Sequence, residues 1–364
     1  MTRARYIMVG GFLGAGKTTA VVRLARHLAA AGLRPGLITN DQSVGLVDSA
    51  LVASEGFDVE EITGGCFCCR FNSLVDAADR LAAASRPDVF IAEPVGSCTD
   101  LRATVSYPLR RMYGDAYSIA PLSVLVDPIR ALRALDLEPG RSFSKKVLYV
   151  YGKQLEEADI IAINKIDAVA PERIARLRDA LEARYAGGVI EMSARTGEGL
   201  ETWFDAVAGE SSAAADLDID YAVYGEGEAL LGWLNATIHA SGDTFDGNQW
   251  IARVAREVGE RLRAGGIEIA HFKMTLSPDA DGSDIAVVNQ VSADRAPEQS
   301  HALTDALDEG TLILNLRAEG DPAELKDAVI AGLAAAAGGV RTRIDHIEHF
   351  RPSQPTPTHR LAQV

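Results

Sequence analysis

The chain has 364 residues, 47% of them hydrophobic and 24% charged, a balance that suits a soluble protein of two domains with ample core. Its 51 acidic residues outnumber the 36 Lys and Arg, and the resulting net charge of −15 repels nucleic acid and anionic membrane. No apolar run approaches the ~20 residues that span a bilayer, Met1 leads directly into a strand without a leader, and four cysteines are too few for a secreted disulfide framework, so a cytoplasmic location is expected.

The apolar run Tyr6–Val9 reads as a strand, and Gly11-Phe12-Leu13-Gly14-Ala15-Gly16-Lys17-Thr18-Thr19 follows it. This is the G-x-x-x-x-G-K-[ST] spacing, set between a strand and an amphipathic helical pattern through Val21, Leu24, Ala25 and Leu28. Such a loop cradles phosphates: its backbone N–H groups point inward, and the helix that follows brings its positive end. Lys17 is expected on the β- and γ-phosphates, and Thr18 is expected to offer its hydroxyl to Mg²⁺.

Further strands are expected at Leu37–Thr39, Val89–Ala92, Ser123–Val126, Ile160–Ile163 and Val189–Met192. Alternating with helical patterns over residues 1–210, they predict an α/β domain, a P-loop NTPase whose mainly parallel sheet is wrapped by helices. Ser73 is placed to cap a helix from about Leu74 to Ala84. After the second strand, Asp41 or Asp48 could join Thr18 on Mg²⁺, and both read equally well as solvated loop acids. The strand Val89–Ala92 ends in Glu93, placed to orient water or a metal-bound water near the γ-phosphate, and Gly96 could sense that phosphate through its N–H.

Asn164-Lys165-Ile166-Asp167 at the end of a strand is a guanine-reading sequence, in which the Asp carboxylate accepts from the ring N–H and the exocyclic amine. Ser193-Ala194 follows where a loop contacting the base oxygen belongs, so GTP is the expected nucleotide. Cys66-Phe67-Cys68-Cys69 places three thiols within four positions. They can bind Zn²⁺ or another borderline metal (Co²⁺, Ni²⁺), or form a redox pair. The fourth ligand is open between Cys98, a histidine, water and a second chain. Cys98 itself could lie near the nucleotide or be plain core.

Residues 211–227 read as a linker rich in Ser, Ala and Asp. A smaller α+β domain over 228–350 is expected to be roughly ferredoxin-like with an extra strand, and the proline-bearing tail 351–364 to be disordered.

Taken together, these motifs resemble the CobW/HypB/UreG family of metal-associated P-loop GTPases. The resemblance runs through Gly11–Thr19, Thr39–Asp48, Gly64–Cys69, Glu93–Gly96, Asn164–Asp167 and Ser193–Gly199, and Gly-Gly-Cys-Phe-Cys-Cys is its most specific part. It departs from the usual CobW Asn-Glu-Phe-Gly at Asn40-Asp41-Gln42-Ser43, which is closer to UreG, and no His-rich loop is present. The resemblance implies GTP hydrolysis with Lys17, Glu93 and Asp41 at the reacting phosphate, coupled to delivery of a transition metal to a client metalloprotein. The second domain would dock that client or a second protomer in a homodimer. A regulatory metal- or redox-sensing GTPase and a P-loop small-molecule kinase are the alternatives.

Overall fold

The computed structural model describes residues 3–40, 56–210, 217–278 and 284–362. The two magnesium candidates Asp41 and Asp48 lie outside them.

Eight strands form the first sheet: β1 (Ala4–Gly11), β2 (Pro35–Asn40), β3 (Asp58–Ile62), β4 (Val89–Glu93), β5 (Tyr117–Ile119), β6 (Ser123–Val126), β7 (Ile160–Ile163) and β8 (Gly188–Glu191). The order is β3-β2-β4-β1-β6-β7-β8, and every pairing is parallel. β1 pairs β5 through Ala4–Tyr6 and β6 through Val9–Gly11, so β5 sits beside the start of the central strand. β4, β6 and β7 are buried along their whole length, which is why they are continuous apolar runs in the sequence.

Sequence periodicity did not predict β3 and β5. β3 is an edge strand with the charged sequence Asp-Val-Glu-Glu-Ile, and β5 has three residues. The helices are α1 (Lys17–Ala30), α2 (Phe71–Ala84), α3 (Tyr107–Tyr113), α4 (Pro128–Ala134), α5 (Lys145–Glu156), α6 (Pro171–Arg184) and α7 (Leu200–Ala208). A π-helical turn, Arg102–Ser106, leads into α3. Ser73 does not cap α2, which begins two residues earlier at Phe71 because the turn of the cysteine segment runs directly into it.

A helix, α8 (Tyr221–Ala229), occupies the end of the expected linker. The second sheet contains β9 (Leu231–Phe245), β10 (Glu268–Ser277), β11 (Ala286–Gln290), β12 (Glu298–His301), β13 (Leu307–Glu319) and β14 (Arg341–Phe350), with helices α9 (Gly247–Ala264) and α10 (Pro322–Ala335). All of its pairings are antiparallel, in the order β12-β11-β10-β13-β9-β14. β9, β10, β13 and β14 with the two helices have the ferredoxin-like order, and the addition, beside β10, is a hairpin of two strands (β11 and β12) rather than one strand. β12, Glu-Gln-Ser-His, is exposed at every position and so has no apolar alternation to betray it. Trp250, Val254 and Val258 of α9 and Leu325, Val329 and Leu333 of α10 join Leu234, Ile238, Phe272, Met274, Leu312 and Leu314 of the sheet in one core.

The chain divides into two compact units, one ending at Gly225 and resumed from Gln354, the other holding Glu226–Ser353. The tail is therefore not the free segment its composition suggests. Thr358 N donates to Cys68 O (2.8 Å) and Leu361 N to Ala103 O (2.8 Å), while Arg360 Nε donates to Asp100 Oδ2 (2.8 Å). Prolines favour an extended backbone whose remaining polar groups bond outward, here to carbonyls far away in the sequence.

Candidate nucleotide and metal site

The phosphate loop is built by backbone that only glycine tolerates. Gly11, Gly14 and Gly16 have φ of 127°, 78° and 91°. A Cβ on Gly11 would lie 2.3 Å from Leu125 O, and one on Gly16 2.4 Å from Asn164 Nδ2. α1 starts at Lys17, so the N–H groups of its first turn lie at the end of the glycine loop. Lys17 and Thr18 are buried, whereas Thr19 is exposed.

Glu93 reaches this loop from the carboxyl end of β4, next to β1 in the sheet. Thr18 Oγ1 donates to Glu93 Oε1 at 3.0 Å, and Lys17 Nζ lies 4.0 Å from the same oxygen. A hydroxyl that gives its proton to Glu93 keeps lone pairs for a cation. Hard oxygen donors of this kind fit a cation such as Mg²⁺. Gly96 follows three residues on, and a Cβ there would lie 2.8 Å from Leu13 N, so this loop presses on the phosphate loop.

Asn164, at the end of β7, bridges two loops. Its Nδ2 donates to Ala15 O (2.9 Å), and its Oδ1 accepts from Ala194 N (2.9 Å). Ser193 Oγ donates to Asp167 Oδ1 at 2.6 Å and accepts from Thr196 N at 3.1 Å. Asp167, Ser193 and Ala194 thus stand together beside the phosphate loop. Lys165 has a positive φ of 61°, and its ammonium donates to Gly14 O (2.6 Å) and Asp127 Oδ2 (2.9 Å).

Asp127 is the residue that motif reading missed. Buried after β6, it caps α4 by accepting from Arg130 N and pairs with Lys165. Burial alone would raise its pKa, but the Lys165 and Arg130 cations outweigh burial and hold the carboxyl well below its ordinary range. Arg130 in turn donates to Leu13 O (2.5 Å). The Asp127-Pro128 step after an apolar strand is the signal that could have found it, being a cap followed by proline at a helix start.

The cysteines lie in the turn between β3 and α2. Gly64 and Gly65 have φ of 74° and 150°, and Cys69 N and Arg70 N both donate to Cys66 O. That turn brings Sγ of Cys66 within 2.9 Å of Cys68 and 3.2 Å of Cys69, with 3.6 Å between Cys68 and Cys69. Among the described residues this is the one group of three or more Cys, His, Asp or Glu donors close enough to share an ion. Three soft donors this close together suit zinc-like metals.

Hydrogen bonding with the Cys68 and Cys69 thiols favours the Cys66 thiolate, so the Cys66 pKa falls well below the ordinary value. Those of Cys68 and Cys69 rise, Cys69 to about 11, chiefly through the bond to Cys66. Asn40 Nδ2, at the end of β2, donates to Gly65 O (2.8 Å) and Ile62 O (3.0 Å), tying this turn to the strand beside β4. Thr356 N donates to Cys69 Sγ at 3.2 Å.

A parallel sheet with a glycine loop, Lys17, Thr18 and Glu93 at its carboxyl ends, and a thiol cluster in the same unit, defines a P-loop nucleotide-binding protein with a soft-metal site. The model of the CobW/HypB/UreG nucleotide-binding domain matches residues 5–187, and the chain belongs to that family. It is 31% identical over 176 residues to the zinc chaperone YeiR of Escherichia coli, a match covering 47% of this chain and 49% of the relative. It is 27% identical over 212 residues to the zinc chaperone CobW of a Sinorhizobium species, with 52% and 59% covered. The chain thus spans about half the length of these curated relatives.

Among solved structures it is similar to Zn(II)-bound YjiA GTPase from E. coli (15% identity, TM-score 0.39, 92% of this chain and 99% of that one). It is also similar to the hydrogenase maturation factor HypB of Archaeoglobus fulgidus (20% identity, TM-score 0.40, 56% and 87%). No described helix is long and apolar enough to cross a membrane.

Proposed function

We propose that this protein binds and hydrolyses GTP, and uses the GTP and GDP states to take up a transition metal and hand it to a client metalloprotein. Zinc is the first candidate, ahead of cobalt and nickel. The observation that carries this reading is the mutual approach of the Cys66, Cys68 and Cys69 sulfurs within the unit that holds the phosphate loop. The relatives YeiR and CobW described above are themselves named zinc chaperones.

Lys17 and the loop amides hold charge on the phosphates, Thr18 binds Mg²⁺, and Glu93 positions the attacking water. Asp167, oriented by Ser193, reads the two donors of guanine. Bound Mg²⁺ neutralises charge on the phosphate oxygens. Binding metal strips the thiol protons, so uptake is favoured where Cys66 is already acidic. The metal is cargo, and a set of three ligands can release it more readily than a closed set of four. The second unit docks the client or a second copy of the chain.

The test is a competition titration of Zn²⁺, Co²⁺ and Ni²⁺ into reduced protein holding Mg²⁺ with GTPγS or with GDP. A Cys66/Cys68/Cys69→Ser variant is the control. A difference between nucleotides of tenfold or more, about 1.4 kcal/mol, that vanishes in the control supports delivery. Coupling is reciprocal, so metal must tighten nucleotide by the same factor. Equal binding in both states would leave a regulatory GTPase as the better account.

A further inference from the structure

The carbonyls of the phosphate loop, from Phe12 through Gly16, each accept a hydrogen bond. Phe12 O accepts from Ala15 N (3.1 Å) and Gly16 O from Ala20 N (3.1 Å), both within the loop and its helix. Side chains take those between: Arg130 donates to Leu13 O (2.5 Å), Lys165 to Gly14 O (2.6 Å) and Asn164 to Ala15 O (2.9 Å). A carbonyl oxygen facing a phosphate repels it, and a carbonyl already bonded to a cation or an amide is held away from that orientation.

Asn164 and Lys165 belong to the guanine-reading sequence, but Arg130 comes from α4 and lies outside every motif. Its guanidinium carbon is 5.2 Å from the centre of the Phe12 ring and 5.1 Å from that of Phe143, and these two buried rings are themselves 5.5 Å apart. Arg130 N donates to Asp127 Oδ1 (3.0 Å), while Asp127 Oδ2 accepts from Lys165. A planar guanidinium held against rings loses little further freedom when it forms a hydrogen bond. The residue it grips is also the one the Glu93–Gly96 loop presses on, since a Cβ on Gly96 would lie 2.8 Å from Leu13 N.

We propose that Arg130 is a positioning residue for GTP hydrolysis, a role that rests on the GTPase reading above. In a trans peptide the C=O of one residue and the N–H of the next point in opposite directions. Tying the Leu13 carbonyl to Arg130 therefore sends the Gly14 N–H the other way, to the side where a bound phosphate meets amides. In hydrolysis, the oxygen of water bonds to the γ-phosphorus as the bond from that phosphorus to the β–γ bridging oxygen breaks. The electron pair stays on the bridging oxygen, giving GDP, and the proton of the water ends on phosphate or solvent. Negative charge thus builds on the GDP side of the breaking bond, and an N–H already fixed there stabilises it most at that moment. Without Arg130 the peptide is free to swing. The loss falls on turnover more than on binding, because Lys17 and the other loop amides still hold the ground state.

Selective labelling makes the Gly14 amide visible by itself. The chain contains two Leu-Gly steps, Leu13-Gly14 and Leu231-Gly232, so carbon-13 carbonyl leucine combined with nitrogen-15 glycine reports those two amides alone. On the full chain with Mg²⁺, GTPγS is expected to move the Gly14 amide proton well downfield and to leave Gly232, in the second unit, where it was. Arg130→Met keeps a stem between the rings without the donors. There the Gly14 movement should shrink by about half or more, and kcat for GTP should fall at least about tenfold with KM within about threefold. Arg130→Lys, a cation without the planar fork, should fall between the two. A Gly14 amide that stays put in the unmodified protein when GTPγS binds overturns the assignment with no variant needed. A folded Arg130→Met with parental turnover overturns it as well, and so does a fall in turnover with the Gly14 movement unchanged, since that loss is merely structural. If the unmodified protein binds GTPγS without hydrolysing GTP, the hydrolysis reading falls and takes this role with it. If it hydrolyses GTP and only the Arg130 results fail, that reading stands.

Discussion

Glu157, just past the end of α5, offers a quantitative test of how the Glu93–Arg102 segment is held. Its carboxyl is 2% exposed and accepts from Thr99 Oγ1 (3.0 Å) and Arg102 N (3.3 Å). Burial, reinforced by the nearby Asp100 carboxylate, raises its pKa from an ordinary 4.5 to about 8, so at neutral pH it is mostly protonated. Asp100 itself is engaged by Tyr221 and Arg360, and Arg102 pairs with Asp159.

Because the folded state holds this proton more tightly than the unfolded chain, the associated stability is fully present below pH 4.5. It is lost progressively as pH rises to about 8. At 1.36 kcal/mol per pKa unit the whole window is worth on the order of 5 kcal/mol, most of it gone by neutral pH. Glu157→Gln keeps the shape, stays neutral, and can give its amide to Thr99 Oγ1 while its carbonyl accepts from Arg102 N. Urea unfolding at a series of pH values between 5 and 9 should show the variant more stable than the parent above pH 8, with the two converging toward pH 5. Parallel curves across that range would refute the buried, protonated assignment.

Gly96→Ala should weaken GTPγS binding about tenfold, ~1.4 kcal/mol by calorimetry, with the fold retained, because its Cβ would meet Leu13 N at 2.8 Å. Unchanged affinity would show that the loop yields freely. Asn164→Ala leaves Ala15 O and Ala194 N without their side-chain partner, and should lower stability by roughly 1–3 kcal/mol in the nucleotide-free protein. A melting temperature equal to the parent's would contradict that bridge. Removing residues 354–364 takes away the Thr356 and Thr358 bonds to Cys69 and Cys68, and mass spectrometry after brief alkylation should find Cys69 modified several-fold faster. Equal labelling would place the tail elsewhere in solution.

What could be read in the sequence was chemistry that is local along the chain. The phosphate loop, the Asn164–Asp167 and Ser193-Ala194 segments, and the cysteine turn each need a few adjacent residues in a fixed backbone shape. Gly11, Gly14 and Gly16 state that shape directly, since all three have a positive φ and a side chain at Gly11 or Gly16 would collide with its surroundings. Buried parallel strands such as β6 and β7 announced themselves as unbroken apolar runs. Strands that bury little, β3, β5 and β12, left no such mark.

Pairing across distance was decided only by the tertiary structure. Asp127 meets Lys165 because β6 and β7 are neighbours in the sheet, and nothing in either segment names the other. The cysteine turn comes beside β4 because β2 and β4 are neighbours in the sheet and Asn40 ties that turn to the end of β2. The proline-bearing tail found its order on Cys68 and Cys69, nearly 290 residues earlier in the chain. Sequence alone specified which groups could do chemistry, since that depends on residue type and local backbone. Which of them act together depends on the sheet order, because strand neighbours are chosen by the packing of the whole domain.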